Sequence, residues 1–367
     1  MFDVVVIGGN LAGATAAINA AEKGVSVALV ERHKEPFFPA HCGEAMPDTW
    51  TELINLDKIG CPINEIKNLI INVSSQKEYA LKLKKHKALI FDRNFVENHL
   101  LKEAEKKGVE LMLGISMRDF NPPYEIFLDN NKIIKGRIII DASGISCQVG
   151  RRIGMNTKLR KEDIGVCIQS RVQGNFKADT LKMWFHKPYA PFGYVWFFPV
   201  NNKTANIGLG VYGGQKLDLA KLLDKYIGDM IRGKYKITHT FRACVPIAPP
   251  MNRLVKDNVL IVGDAARLVN SEWGCGIGNA LFSGRSAGMT AAKYIQGEIA
   301  SLEPYQDSMK ARISILQKAY KRKKKLEIEK KYVGSHRRDF FIVSILNRIV
   351  PDFLQDKISK KILDRIG

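Results

Sequence analysis

Asp3-Val-Val-Val-Ile7, then Gly8-Gly-Asn10-Leu-Ala-Gly13, a small-residue run to Ala21, and Val25-Ser-Val-Ala-Leu-Val30 closing on Glu31 decide the fold. An unbroken apolar run is the pattern of a strand buried on both faces. A glycine-rich turn into a small-residue helix and a second apolar run complete a βαβ unit. Gly8 permits the tight turn, the helix start offers N–H groups to a pyrophosphate, and Gly13 lets helix and strand pack closely. Glu31 is placed to bind a ribose diol. Asn10 stands where the dinucleotide fingerprint has its second glycine. It tolerates left-handed backbone, but its Cβ is expected to crowd the phosphate.

Working outward, 367 residues with 46% hydrophobic and 26% charged side chains give room for two or three domains and exclude a disordered chain. The six cysteines, Cys42, Cys61, Cys147, Cys167, Cys244 and Cys275, are scattered without a Cys-x-x-Cys pair or a histidine cluster. Neither a metal site nor a disulfide framework is expected, and a reducing cytosol fits best. The first strand begins within two residues of Met1, and no apolar run approaches the ~20 residues of a membrane span, so neither a signal peptide nor a transmembrane helix is expected. A formal net charge of +20 attracts polyanions: nucleic acid, acidic headgroups or phosphorylated substrates. No recognition motif for nucleic acid accompanies it, and nucleic acid is not expected as a partner.

Five further segments carry chemistry. Pro39-Ala-His41-Cys42-Gly43-Glu44-Ala45-Met46-Pro47 sets a cysteine between a histidine and a glycine, with a carboxylate next to it. Phe91-Asp92-Arg93 opens a helix running to Lys107-Gly108. A strand ends in Asp141-Ala-Ser-Gly144. Another runs from Asn258 into the turn Gly263-Asp264, followed by a glycine-rich loop, Gly274-Cys275-Gly276-Ile277-Gly278, that opens a helix whose N–H groups can stabilise negative charge. Finally Tyr194-Val-Trp196-Phe-Phe198-Pro199, eight residues, then Gly208-Leu-Gly210 reads as an aromatic strand paired with a glycine-bearing return strand, one wall of a cavity for something long and apolar.

Together these segments resemble the geranylgeranyl reductase family of the hydroxylase-type FAD flavoproteins, which hydrogenate isoprenoid chains. The resemblance covers most of residues 1–300, and the Tyr-x-Trp-x-Phe-Pro…Gly-x-Gly signature is its most specific part. It implies an α/β fold: a Rossmann-like FAD-binding domain from 1–61, 90–160 and 240–300, an inserted antiparallel β-sheet substrate domain from 62–89 and 161–239, and a basic helical region over 301–367. It implies cofactor contacts at Gly8, Asn10, Gly13, Glu31, Arg32, Cys42, Gly43, Arg93, Asp141, Gly263, Asp264, Gly274, Gly276 and Ile277. Cys42, Tyr194 and Trp196 take catalytic roles, and Phe198, Pro199, Gly208 and Gly210 bind substrate. The chain departs from the family at Ala45, a usual glycine, at Ser271, a usual proline, at Trp273, a usually smaller residue, and at Cys275, a common glycine.

An isolated trisubstituted alkene is electron-rich and resists direct hydride attack. A carbon must become cation-like through proton delivery while the flavin supplies hydride, in a dry site holding one double bond at about 3–3.5 Å. Aromatic faces bind alkenes and stabilise cationic character. Cys42, a bound water or a tyrosine can give the proton. The expected substrate is a geranylgeranyl chain on an archaeal-type glycerophospholipid, on a diphosphate or on a quinone. The reductant is NAD(P)H, ferredoxin or another donor, and an electron-donor protein is a candidate partner. Two rival readings remain: an FAD monooxygenase or halogenase of the same fold, and a non-catalytic flavoprotein that binds lipid or passes electrons. From Lys321 to Gly367 the chain holds 14 Lys/Arg against 6 Asp/Glu, with Ile342, Ile345, Leu346, Ile349 and then Ile358, Ile362, Leu363 and Ile366 at helical spacing. Such helices either lie on an anionic membrane or pack on the body with lysines turned to water. A cytoplasmic protein, peripheral on the inner face of the membrane, is the expectation.

Overall fold

The computed structural model describes residues 1–35, 40–74, 77–83, 86–185, 189–190 and 193–328. Strand Phe2–Ile7 lies between Ile133–Asp141 and Val27–Glu31, parallel to both, with Val4 opposite Ile138 and Val27. Strand Val259–Ile261 extends this parallel layer on one side and Glu110–Leu113 on the other. Val4, Val5 and Val6 are fully buried, as an unbroken apolar run in a sheet covered on both faces should be.

Helix Leu11–Ala21 covers one face of the layer and packs on helix Ile277–Ile295. The approach is close because its partner presents glycine: a Cβ on Gly284 or Gly288 would lie 2.2 Å from the carbonyl oxygen of Ala12 or Ala16. Gly13 is tighter still, since a Cβ there would lie 1.8 Å from the Gly8 carbonyl oxygen. All three oxygens belong to the backbone and none can yield cheaply. Gly13→Ala is therefore expected to cost about 3 kcal/mol, the upper end for overpacking, and a urea midpoint equal to wild type would contradict this packing account.

A second sheet of seven strands runs in the order Lys236–Pro246, Ile164–Gln173, Thr204–Tyr212, Gly193–Pro199, Thr180–Trp184, Asn68–Ser74, Lys77–Lys82. All its pairings are antiparallel except Thr180–Trp184 with Asn68–Ser74. The expected division of the chain needs two corrections. A boundary at 239/240 would cut strand Lys236–Pro246, which pairs with Ile164–Gln173 along its whole length. Strands Ile63–Ile66 and Ala88–Phe91 leave the large sheet and join Ala45–Pro47 in a sheet of three, so the cysteine-bearing loop enters the substrate side on its own small sheet.

Helix Glu303–Ile328 fastens the two layers. Tyr305, fully buried, donates its hydroxyl to the Ile261 carbonyl at 2.6 Å. Near the other end Lys323, in a basic stretch read as lying on an anionic membrane or turned to water, is 0% exposed and donates to the carbonyls of Ile247 and Glu162 at 3.0 and 3.1 Å, with Asp163 at 3.6 Å. A buried ammonium needs such partners, and the fold supplies them from the start and end of the substrate sheet. Among the described residues no helix is long and apolar enough to cross a membrane. The apolar positions expected from Ile342 to Ile366 lie outside the described residues.

Candidate functional site

A cavity of about 700 Å³ lies between the two sheets and runs from the Gly8 turn to the aromatic strand. At its nucleotide end Gly8 has φ +108°, and a Cβ there would stand 2.4 Å from the Ala142 carbonyl oxygen, so the turn requires glycine. Asn10 also lines the cavity. Its backbone is extended, and it caps the first helix: Oδ1 accepts from Ala12 N–H at 3.1 Å and Gly13 N–H at 3.4 Å, while Nδ2 donates to Ala142 O at 2.7 Å. Asparagine is a strong N-cap, so this residue ties turn, helix and strand together. Glu31 lines the cavity at the end of its strand and accepts from Gly9 N–H at 2.7 Å and His33 N–H at 2.9 Å. Arg32 lines the rim and is exposed.

Asp141 corrects the sequence expectation. Its carboxylate, 0% exposed, accepts from Ser143 N–H and O–H and from Val149 and Gly150 N–H at 2.5–3.0 Å. Oδ1 is taken by Ser143 and Oδ2 by the start of the short helix Gln148–Arg152, and Ala142 and Ser143 line the wall while Asp141 does not. Gly13 and Gly263 likewise lie behind the wall. Gly263, at φ +56°, gives its N–H to Ser283 Oγ at 3.0 Å and lets Ala12 pack against it. Asp264, next in sequence, lines the cavity, where burial raises its carboxyl above the ordinary range and Arg93 pulls it back.

The cysteine loop occupies the middle. Cys42 Sγ accepts from Glu44 N–H at 3.2 Å and from the Arg93 side chain. Arg93 holds Glu97 through Nε and Nη2 at 2.9 and 2.8 Å. Glu44 is 1% exposed and left-handed at φ +64°. Its carboxylate accepts from Arg171 at 2.8 Å, Asn206 Nδ2 at 2.7 Å and Arg93 N–H at 3.3 Å. Burial raises this carboxyl, and Arg171 and Asn206 lower it without cancelling the burial. Gly43 lies under Phe198, whose ring would be 2.9 Å from a Cβ at that position.

On strand Gly193–Pro199, Tyr194, Trp196 and Phe198 share one face by the two-residue period, with ring centroids 5.7 and 6.2 Å apart in sequence order. All three line the cavity, as does Gly210. Gly208 and Pro199, expected as substrate contacts, do not line it. Gly208 lies opposite Trp196, whose ring would be 2.3 Å from a Cβ there, so the group this glycine admits is the indole. Pro199 offers its carbonyl to Asn64 Nδ2 at 2.7 Å.

The loop Asn270–Gly276 closes the top, and Gly274, Gly276 and Ile277 all line the cavity. Gly276 caps helix Ile277–Ile295 without a side-chain bond, which leaves N–H groups at the helix start. Gly278 is compulsory, since a Cβ would lie 2.0 Å from the Trp50 ring, over which the Arg312 guanidinium lies at 4.6 Å from the centroid. Two family departures fit their surroundings. Trp273 packs edge-on against Phe185 and accepts the Tyr194 hydroxyl at its carbonyl at 2.5 Å. Burial pushes the Cys275 thiol up to about 12.

Gln169, Arg171 and Asn206, which hold the cysteine loop from below, were not found from the sequence. The signal available was two adjacent polar residues, Gln169 and Ser170, inside an otherwise strand-like run. A dinucleotide with a redox ring fits the residues present. The glycine turn, two helix starts, Asp264 and the buried Ser271 hydroxyl, which has no hydrogen-bond partner among the described residues, all offer polar contacts along one cavity.

Comparison with known proteins agrees with this geometry. Residues 163–245 match the model of the geranylgeranyl reductase catalytic domain and residues 3–49 that of an FAD binding domain. The chain is 30% identical to digeranylgeranylglycerophospholipid reductase 2 of Methanothermobacter thermautotrophicus, over 80% of this chain and 79% of that one. It is 29% identical to digeranylgeranylglycerophospholipid reductase 1 of Methanopyrus kandleri, over 83% and 85%. In structure it is similar to a geranylgeranyl bacteriochlorophyll reductase-like protein of Thermoplasma acidophilum, with a TM-score of 0.82 at 23% identity over 100% of this chain and 99% of that one.

Proposed function

This chain belongs to the geranylgeranyl reductase family, and from that membership we propose that it saturates the C=C bonds of geranylgeranyl chains on an archaeal-type glycerophospholipid, with FAD as cofactor. The observation that carries the reading is the junction of Cys42 and the Tyr194–Trp196–Phe198 wall across one cavity that also reaches the nucleotide turn.

FAD, when bound, supplies the hydride. Gly8, the first helix start, Glu31, Arg93, Asp264 and the Gly276–Ile277 helix start are the residues that would hold it. The protein's own work is to keep the alkene dry and oriented. Tyr194, Trp196 and Phe198 present ring faces that bind a double bond and stabilise a cation-like carbon. The Tyr194 hydroxyl proton is directed at the Trp273 carbonyl, so of the candidate donors Cys42 Sγ or a water held near it is better placed to give the proton.

The substrate is a membrane lipid, and a formal net charge of +20 suits action at an anionic bilayer surface. The test is anaerobic incubation of the reduced, FAD-loaded protein with a digeranylgeranyl glycerophospholipid. Mass spectrometry should show the lipid gaining two hydrogens for each bond saturated. Oxygen uptake with an aromatic substrate would favour the monooxygenase reading, and an unaltered lipid would leave a flavoprotein that only binds lipid or passes electrons.

A further inference from the structure

We infer that Gln169 is a positioning residue that fixes where a prenyl chain lies relative to Cys42; the inference rests on the reductase reading above. Gln169 sits in the middle of strand Ile164–Gln173, 1% exposed, in the cavity wall. Its carboxamide is engaged at both ends. Oε1 accepts from the Trp196 indole N–H at 2.8 Å, and Nε2 donates to the Cys42 carbonyl oxygen at 2.9 Å.

The chemistry of the two partners sets the amide's orientation. An indole N–H can only donate and a peptide carbonyl can only accept. The bridging group must therefore accept at one end, where the bond is buried, and donate at the other, where it is partly buried. A carboxylate cannot donate to Cys42, and an aliphatic side chain would strand two desolvated polar groups. The backbone holds this bridge from beneath: Gln169 pairs with Gly208, and Gly208 pairs with Trp196, whose indole lies on that glycine. The indole and the Cys42 loop consequently move as one body.

An isoprenoid chain repeats every unit, and an apolar wall alone lets it slide from one double bond to the next. A ring fixed in orientation and tied to the reacting loop defines which bond arrives at the reacting position. Residues that hold a reactant in place act on turnover more than on binding, and a shift of about 1 Å can cost on the order of a hundredfold in rate.

The test compares FAD-loaded wild type, Gln169→Leu and Gln169→Glu in two measurements. One is anaerobic turnover of a geranylgeranyl lipid, with fragmentation to locate the first bond saturated. The other is the rate of Cys42 alkylation by iodoacetamide, read on the Cys42 peptide. Both variants should retain FAD and keep KM within about threefold, while kcat falls on the order of tenfold, the first saturation spreads over several bonds, and Cys42 alkylates several-fold faster. Wild-type positional selectivity with a wild-type alkylation rate overturns the inference, and so does a loss of turnover that only tracks lost FAD or lost folded protein. If wild type leaves the lipid untouched, the reductase reading fails, and the alkylation rates alone then decide whether Gln169 holds the cysteine loop.

Discussion

Arg171→Met should destabilise the protein by about 3–4 kcal/mol at pH 7, because it strands a buried carboxylate. Glu44 is 1% exposed, and Arg171 is its charged partner at 2.8 Å. The pH dependence gives the prediction its sign. Burial already holds the Glu44 carboxyl above its ordinary value, despite Arg171. For a group raised in the folded state, the associated stability is present below the unfolded value and is lost as pH rises through the folded one. Removing Arg171 raises the folded value further, so the gap between variant and wild type should be smaller at pH 5 than at pH 7. Urea unfolding at both values measures it, and an equal gap would show that Glu44 does not carry the effect. Because Glu44 also gives its N–H to Cys42 Sγ, turnover should fall with stability.

Trp196→Ala should remove prenyl reduction, on the order of a hundredfold in kcat/KM, while leaving most of the FAD in place. The indole forms the centre of the aromatic wall and fills the space above Gly208. The segments that would hold FAD lie elsewhere along the cavity. At 7% exposure the residue is also part of the core, so about 3 kcal/mol of stability should go with it. Activity is therefore compared per folded, FAD-loaded molecule. Trp196→Phe, which restores a ring but not the N–H that Gln169 accepts, should fall between alanine and wild type. Parallel loss of FAD and activity in the alanine variant would make the strand structural rather than a substrate wall.

What is local in this fold is legible in consecutive residues. Gly8, Gly13 and the valine run of the first strand define a βαβ unit because turn chemistry and two-faced burial are written within a few consecutive residues. The two-residue period of Tyr194, Trp196 and Phe198 likewise places three rings on one face with no knowledge of the partner strand. Tertiary structure decided what those groups meet. An aspartate ending a strand reads as a cofactor contact, yet Asp141 is consumed by N–H groups of Val149 and Gly150 on a helix that turns back over it. Gly208 reads as room for substrate and is room for an indole. Lys323 reads as a solvated charge and is buried on carbonyls from residues 162 and 247. Gln169, Arg171 and Asn206 reach residues 42–44 from more than 120 positions away. A hydrogen bond depends on distance in space, and separations of that length leave no periodicity or spacing in the sequence to read.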